Sequence, residues 1–233
     1  MSSPQRTSHT MASPLRSPAS SIEQEQVLLS DLQQLKKVGV FFLLFIGLVC
    51  AGFGLIYLDI AIANTQLLEV SFTEIGQELM LAACAGLFWT SRGTQAQEGF
   101  NALAGGFFAC LLVRELDGLF DPISHSFWLW PALGTAAVCI VKAVGKYHKR
   151  IQTLSALAQF TRQSSFTMIV AGLGVLVFSR IFGMGTLWHH ILQEGYQRLA
   201  KTTAEEGVEL LAYCLFLTGS LQYYVRQLKS GNT

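Results

Sequence analysis

Two short stretches of the sequence echo each other. Residues 74–79 read Glu-Ile-Gly-Gln-Glu-Leu and residues 205–210 read Glu-Glu-Gly-Val-Glu-Leu. Both fit the pattern E-x-G-x-E-L, and both open an apolar run. Residues four apart on a helix lie about 40° apart around its axis. Glu74 with Glu78, and Glu205 with Glu209, therefore form two carboxylate pairs, each on one helical face. Carboxylates that enter an apolar medium need a partner, water or a proton, and they commonly mark ion and proton sites. Gly76 and Gly207, between the acids, let a neighbouring backbone approach closely. A duplicated hairpin would bring all four carboxylates together.

The acids differ in depth. Ser71-x-x-Glu74, Thr202-x-x-Glu205 and Thr203-x-x-Glu206 have capping-box spacing, so Glu74, Glu205 and Glu206 read as helix caps that complement the helix dipole. Glu78 and Glu209 lie one turn further in and are followed by apolar residues, which makes them the strongest candidates for an ion or a proton. The run Arg-Glu-Leu-Asp-Gly-Leu-Phe-Asp supplies Arg114 as a charge partner and Asp117 as a further ion- or proton-binding candidate; Arg114, Asp117 and Asp121 recur at three- and four-residue spacing and Glu115 points elsewhere. Arg180 and Asp59 join from other apolar runs. Arginine suits such pairing because its planar fork stays charged and binds carboxylate through two bonds. The competing reading is a purely structural ion-pair network.

Oxygen-only ligation would suit a divalent cation such as calcium, magnesium or manganese. His125, His189 and His190 fall in loops on the same side, where a lone histidine is usually solvated, and adjacent histidines point apart. None of the five histidines sits mid-run as a bundle haem requires. Walker, G-x-S-x-G and H-E-x-x-H motifs are also missing, so neither haem nor a nucleotide is expected. The Glu205-Glu206 pair is similar to the paired glutamates of CAAX-type intramembrane metalloproteases. The basic residue that follows that pair, and the histidines of later helices, are not found here. A membrane-embedded metal-dependent hydrolase is therefore only a third reading, and the balance is against an enzyme.

These residues must be positioned by membrane helices. Of 233 residues 51% are hydrophobic and 13% charged, against about 25% charged in soluble domains. The apolar residues gather into six runs near the ~20 residues that span a bilayer core: 38–63, 74–91, 98–120, 127–144, 166–187 and 203–225. The expected fold is all-α, a bundle of six transmembrane helices filling 38–233. It follows a disordered tail (1–21) and an amphipathic lead-in helix (22–37). Twelve of the sixteen basic residues fall in the tail, the even-numbered loops and the C-terminus, which predicts that both termini are cytoplasmic. Eleven of the fifteen acids fall on the opposite, outer side.

Residues 145–165 read as an amphipathic cytoplasmic helix in contact with anionic lipid. Residues 188–202 read as an interfacial helix anchored by Trp188 and Tyr196. Cys50, Cys84, Cys110, Cys139 and Cys214 all lie in apolar runs without C-x-x-C spacing, which points to core packing. The first run is too long for a signal-peptide core. A net charge of +1 gives no basis for nucleic-acid binding, and short loops suggest a bacterial inner membrane. The leading expectation is a membrane protein with a cation- or proton-responsive carboxylate site near its outer face: a transporter, channel-like or sensor protein. The alternative is a non-catalytic partner subunit or assembly factor whose glycine pairs pack against other helices.

Overall fold

The computed structural model describes residues 18–63, 71–91, 97–120, 124, 126–193 and 198–230, and the regular structure among them is entirely helical. Helix α1 (Pro18–Tyr57) passes into a π-helical turn, Leu58–Ala63. It is followed by α2 (Phe72–Thr90), α3 (Glu98–Glu115), α4 (Asp117–Phe120), α5 (Leu129–Val144), α6 (Tyr147–Phe160), α7 (Ser164–Phe182), α8 (Gly185–Leu192) and α9 (Arg198–Ser230). Three stretches are long and apolar enough to cross a membrane: Glu23–Ala63, Ser164–Phe182 and Arg198–Lys229. A fourth arises if α5 and α6, bent by 100° at their junction, are taken as one broken span. Helices α2 and α3 are not among them. Their polar ends, with Glu74, Gln77 and Glu78 on α2 and Glu98, Arg114 and Glu115 on α3, dilute otherwise apolar sequence.

The chain divides into residues 1–42 and residues 43–233. In the first unit the lead-in side chains Val27, Leu28, Leu32 and Leu35 are exposed. The lead-in and the first apolar run form one continuous helix. Residues 1–17 of the expected tail lie outside the described residues, as do Asp121, His125 and Tyr196.

In the second unit α9 packs on α7 and on α2; α2 packs on α3, and α3 on α5 and α6. The inward stripe of α9 runs Glu209, Tyr213, Phe216, Ser220, Tyr223 and Gln227, all buried, with the alternating three- and four-residue spacing of a coiled-coil seam. At one end, rings from four helices interlock. Phe88 lies 5.8 Å from Phe108, 4.9 Å from Tyr223 and 6.3 Å from Phe160, and Phe100 lies 4.8 Å from Phe160. Edge-to-face and offset stacking at these distances adds to plain area burial.

Three breaks differ from the sequence expectation, the first being that the fifth run, expected to reach 187, stops at Phe182 with Gly183 as its cap. The third run stops at Glu115 because Leu116 leaves helical geometry (φ −78°, ψ 16°). The sixth helix begins at Arg198, five residues before the expected 203, so it takes in the second half of the supposed interfacial segment; α8 is the first half. The α5–α6 corner forms at Gly145 and Lys146, the latter extended at φ −120°, ψ 141°. It is tied by Thr153 Oγ1 donating to the Ala143 carbonyl at 2.9 Å.

Candidate functional site

Antiparallel packing delivers charge from four helices to the end opposite the aromatic cluster. The start of α2 supplies Glu74 and Glu78, and the end of α3 supplies Arg114 and Glu115. The end of α7 brings Arg180, and the first half of α9 brings Lys201, Glu205, Glu206 and Glu209. Both arginines occupy the last turn of their helices, where the macrodipole favours a cation.

Arg180 is the hub. Its guanidinium grips Glu209 with both arms, Nη1 to Oε1 at 3.0 Å and Nη2 to Oε2 at 3.1 Å, the fork geometry of a strong charge-assisted pair. It also reaches Glu205 at 3.7 Å and Glu115 at 3.6 Å. Glu209 is only 2% exposed and accepts a further bond from Ser179 Oγ at 3.4 Å. Glu205 is held on its other side by Lys201 at 3.0 Å, one turn earlier. Its carboxylate fills the space where a Gly183 side chain would stand. Glu115 pairs with Arg114 and accepts the Tyr213 hydroxyl at 2.8 Å.

The α2 side differs. Ser71 Oγ accepts the Glu74 N–H at 3.1 Å, which is the expected cap, but Glu74 Oε2 is shielded and has no hydrogen-bond partner. Glu78 is half-buried and makes no ion pair among the described residues. Glu74 feels the charge of Glu78, Glu206 and Glu115 together. Gln77 joins the two E-x-G-x-E-L motifs directly: its Nε2 donates to Glu206 Oε2 at 2.9 Å and to the Glu206 carbonyl at 3.5 Å. Both motif glycines face α1, Gly76 against Leu55 and Gly207 against Ile56. They make room for side chains rather than for a backbone.

Glu74, Glu78, Glu205 and Glu209 thus reach one cluster with Arg114 and Arg180. Asp117 does not. The break at Leu116 loses the register with Arg114, and Asp117 is exposed on α4 without an ion-pair partner among the described residues. Glu205 and Glu206 are not caps, because α9 starts seven residues before Glu205; Thr203 Oγ1 instead donates to the Leu199 carbonyl at 2.8 Å. Asp59 serves as an anchor, fully buried and accepting from Phe72 N at 2.9 Å, Thr73 N at 2.7 Å and Thr73 Oγ1 at 2.7 Å. His189 and His190 are exposed on α8. Glu115, Glu206, Lys201, Gln77 and Tyr213 are cluster members that spacing on single helices did not reveal. The available signal was the polar half of the α9 stripe, where Tyr213 follows Glu209 by one turn.

No family model matches the chain, and no match is found among curated proteins or solved structures. The site has to be read from its own chemistry. Six carboxylates (Glu74, Glu78, Glu115, Glu205, Glu206, Glu209) face three cations (Arg114, Arg180, Lys201). Among the described residues no three His, Cys, Asp or Glu side chains are grouped as a metal site. Arg180 reaches three of the carboxylates, Glu115, Glu205 and Glu209.

Proposed function

We propose that this is a multi-pass membrane protein with six membrane segments and both termini cytoplasmic. Its carboxylate–arginine cluster, at the outer face, takes up and releases protons in moving them across the bilayer. The observation that carries the reading is the surplus of three carboxylates over cations, concentrated on α2, where Glu74 and Glu78 are uncompensated. Intramembrane acids in excess of their partners are a recurrent feature of proton pathways. The α9 stripe adds support: from Glu209 to Gln227 it carries buried hydroxyl, phenol and amide groups over about 27 Å, close to the thickness of a hydrocarbon core.

Flux tests the proposal. The protein is reconstituted into vesicles holding a pH-sensitive dye, a pH step is applied, and the potential is clamped. Wild type should pass protons well above empty vesicles, and Glu78→Gln should pass at least tenfold fewer while keeping its melting temperature. Glu78 is the clean variant because no ion pair is lost with it. Equal flux in wild type and Glu78→Gln removes the proton role, and no wild-type flux removes transport altogether. A divalent cation is the competing ligand; it would raise the melting temperature of wild type and not of Glu78→Gln/Glu209→Gln.

A second reading rests on α1. The most apolar 18-residue stretch within Glu23–Ala63 is only 6% buried, which leaves a helix face for lipid or for a partner subunit. Here the cluster is an ion-pair network and the protein a non-catalytic subunit. A stable partner retained in mild detergent would favour it, and a clean monomer would count against it. Helix α6 bears on topology under either reading. Its sharp turn from α5, exposed Tyr147, Ile151 and Leu154, and neighbouring Lys146, Lys149 and Arg150 suit an orientation along an anionic bilayer surface. Short loops fit a bacterial inner membrane.

A further inference from the structure

Away from the cluster, a groove of about 990 Å³ runs between the end of α2, α3 and α5, with Trp89, Glu98, Asn101, Gly134, Val138 and Lys142 among its walls. Its two ends differ. At one end stand Glu98 and Lys142, both exposed, and neither is ion-paired with any described residue. Asn101 lies beside them, held by the Tyr223 hydroxyl, which donates to Oδ1 at 2.6 Å, and by its own bond to the Ser91 carbonyl at 3.3 Å. Toward the other end the wall is Val138, Gly134 and Pro131. Gly134 leaves open space, since a Cβ there would meet nothing within 4 Å.

The dimensions suit a lipid. The rise from Pro131 to Lys142 along α5 is about 16 Å at 1.5 Å per residue, half of a ~30 Å hydrocarbon core and hence one leaflet. The charged end adjoins Ala143 and the α5–α6 corner, where the chain turns by 100°, the level expected of headgroups. The pairing of one cation with one anion there complements a headgroup that itself carries both charges; Glu98 would repel a purely anionic one. We propose that the groove holds a single zwitterionic aminophospholipid of the cytoplasmic leaflet. Lys142 takes its phosphate, Glu98 its ammonium, and one acyl chain lies along Val138 and Gly134. The proposal rests on α5 spanning the bilayer, as proposed above, and is independent of proton movement.

Native mass spectrometry of the full chain, delipidated in mild detergent and offered equal phosphatidylethanolamine and phosphatidylglycerol, tests it. One phosphatidylethanolamine should be retained with at least tenfold preference. Glu98→Lys should reverse that preference toward phosphatidylglycerol. Gly134→Trp, which fills open space, should abolish retention of either at an unchanged melting temperature. Several lipids held without class preference, or retention unaltered by Gly134→Trp, would show only annular lipid and overturn the site. A chain that stays dispersed without detergent and binds no lipid would overturn the membrane reading along with it.

Discussion

The same helices end in opposite chemistries. At one end of α2, α3 and α9, Phe88, Phe100 and Tyr223 close into a ring cluster with Phe160 of α6. At the other end α3 and α9 contribute Glu115 and Glu209 to an ion network centred on Arg180 of α7, and α2 contributes Glu74, whose Oε2 has no hydrogen-bond partner. The aromatic end is stabilised by shape, since its contacts are short-ranged and uncharged and hold in lipid as well as in water. The charged end is stabilised by pairing, and removing one partner leaves a desolvated charge behind. An assembly whose only need was rigidity could use rings at both ends. The three surplus carboxylates at one end are what the proposed proton site rests on.

Breaking the hub should have the largest effect. Arg180→Ala strands Glu209 at 2% exposure and should lower stability by about 3–5 kcal/mol, read as a fall in detergent melting temperature; Arg180→Ala/Glu209→Leu should recover most of it. A change near zero for Arg180→Ala would mean that the network is not stabilising. At the opposite end Phe88→Ala should destabilise by about 3 kcal/mol through a cavity, and small apolar ligands that fill it should restore part of the loss, whereas none should rescue Arg180→Ala.

Asp59→Asn keeps the shape of the anchor but weakens its bonds to the start of α2. It should lower stability by about 1–3 kcal/mol and open the amide protons of Phe72 and Thr73 to hydrogen exchange. A double-mutant cycle on Gln77→Ala and Glu206→Ala should give a coupling of about 0.5–1.5 kcal/mol; zero coupling would mean that the Gln77–Glu206 side-chain bond does not stabilise the contact between the two motifs. Lys201→Ala removes one half-exposed partner within a single helix and should change stability by less than about 0.5 kcal/mol.

Much of this was legible in the sequence. The 3.6-residue periodicity and the length of the apolar runs predict an all-helical chain, and Ser71 before Glu74 predicts the start of α2 correctly. The convergence of Glu74, Glu78, Glu205 and Glu209 follows from two like motifs at the same end of two runs. Other features were misread because they depend on local stops that periodicity does not register. Asp117 looked like a cluster member only while α3 was assumed to continue past Leu116. Glu205 and Glu206 looked like caps only while α9 was assumed to begin at residue 203.

What the sequence determined by itself is the set of elements and which of their ends carry charge, because both follow from residue order along a helix. What the tertiary structure decided is the pairing. Arg180 and Glu209 are 29 positions apart, Tyr213 and Glu115 are 98 apart, and Gln77 and Glu206 are 129 apart. Spacing within one helix says nothing about such pairs. They exist because antiparallel packing of α2 and α3, and of α7 and α9, brings distant ends together, and because Gly183 leaves room for the Glu205 carboxylate.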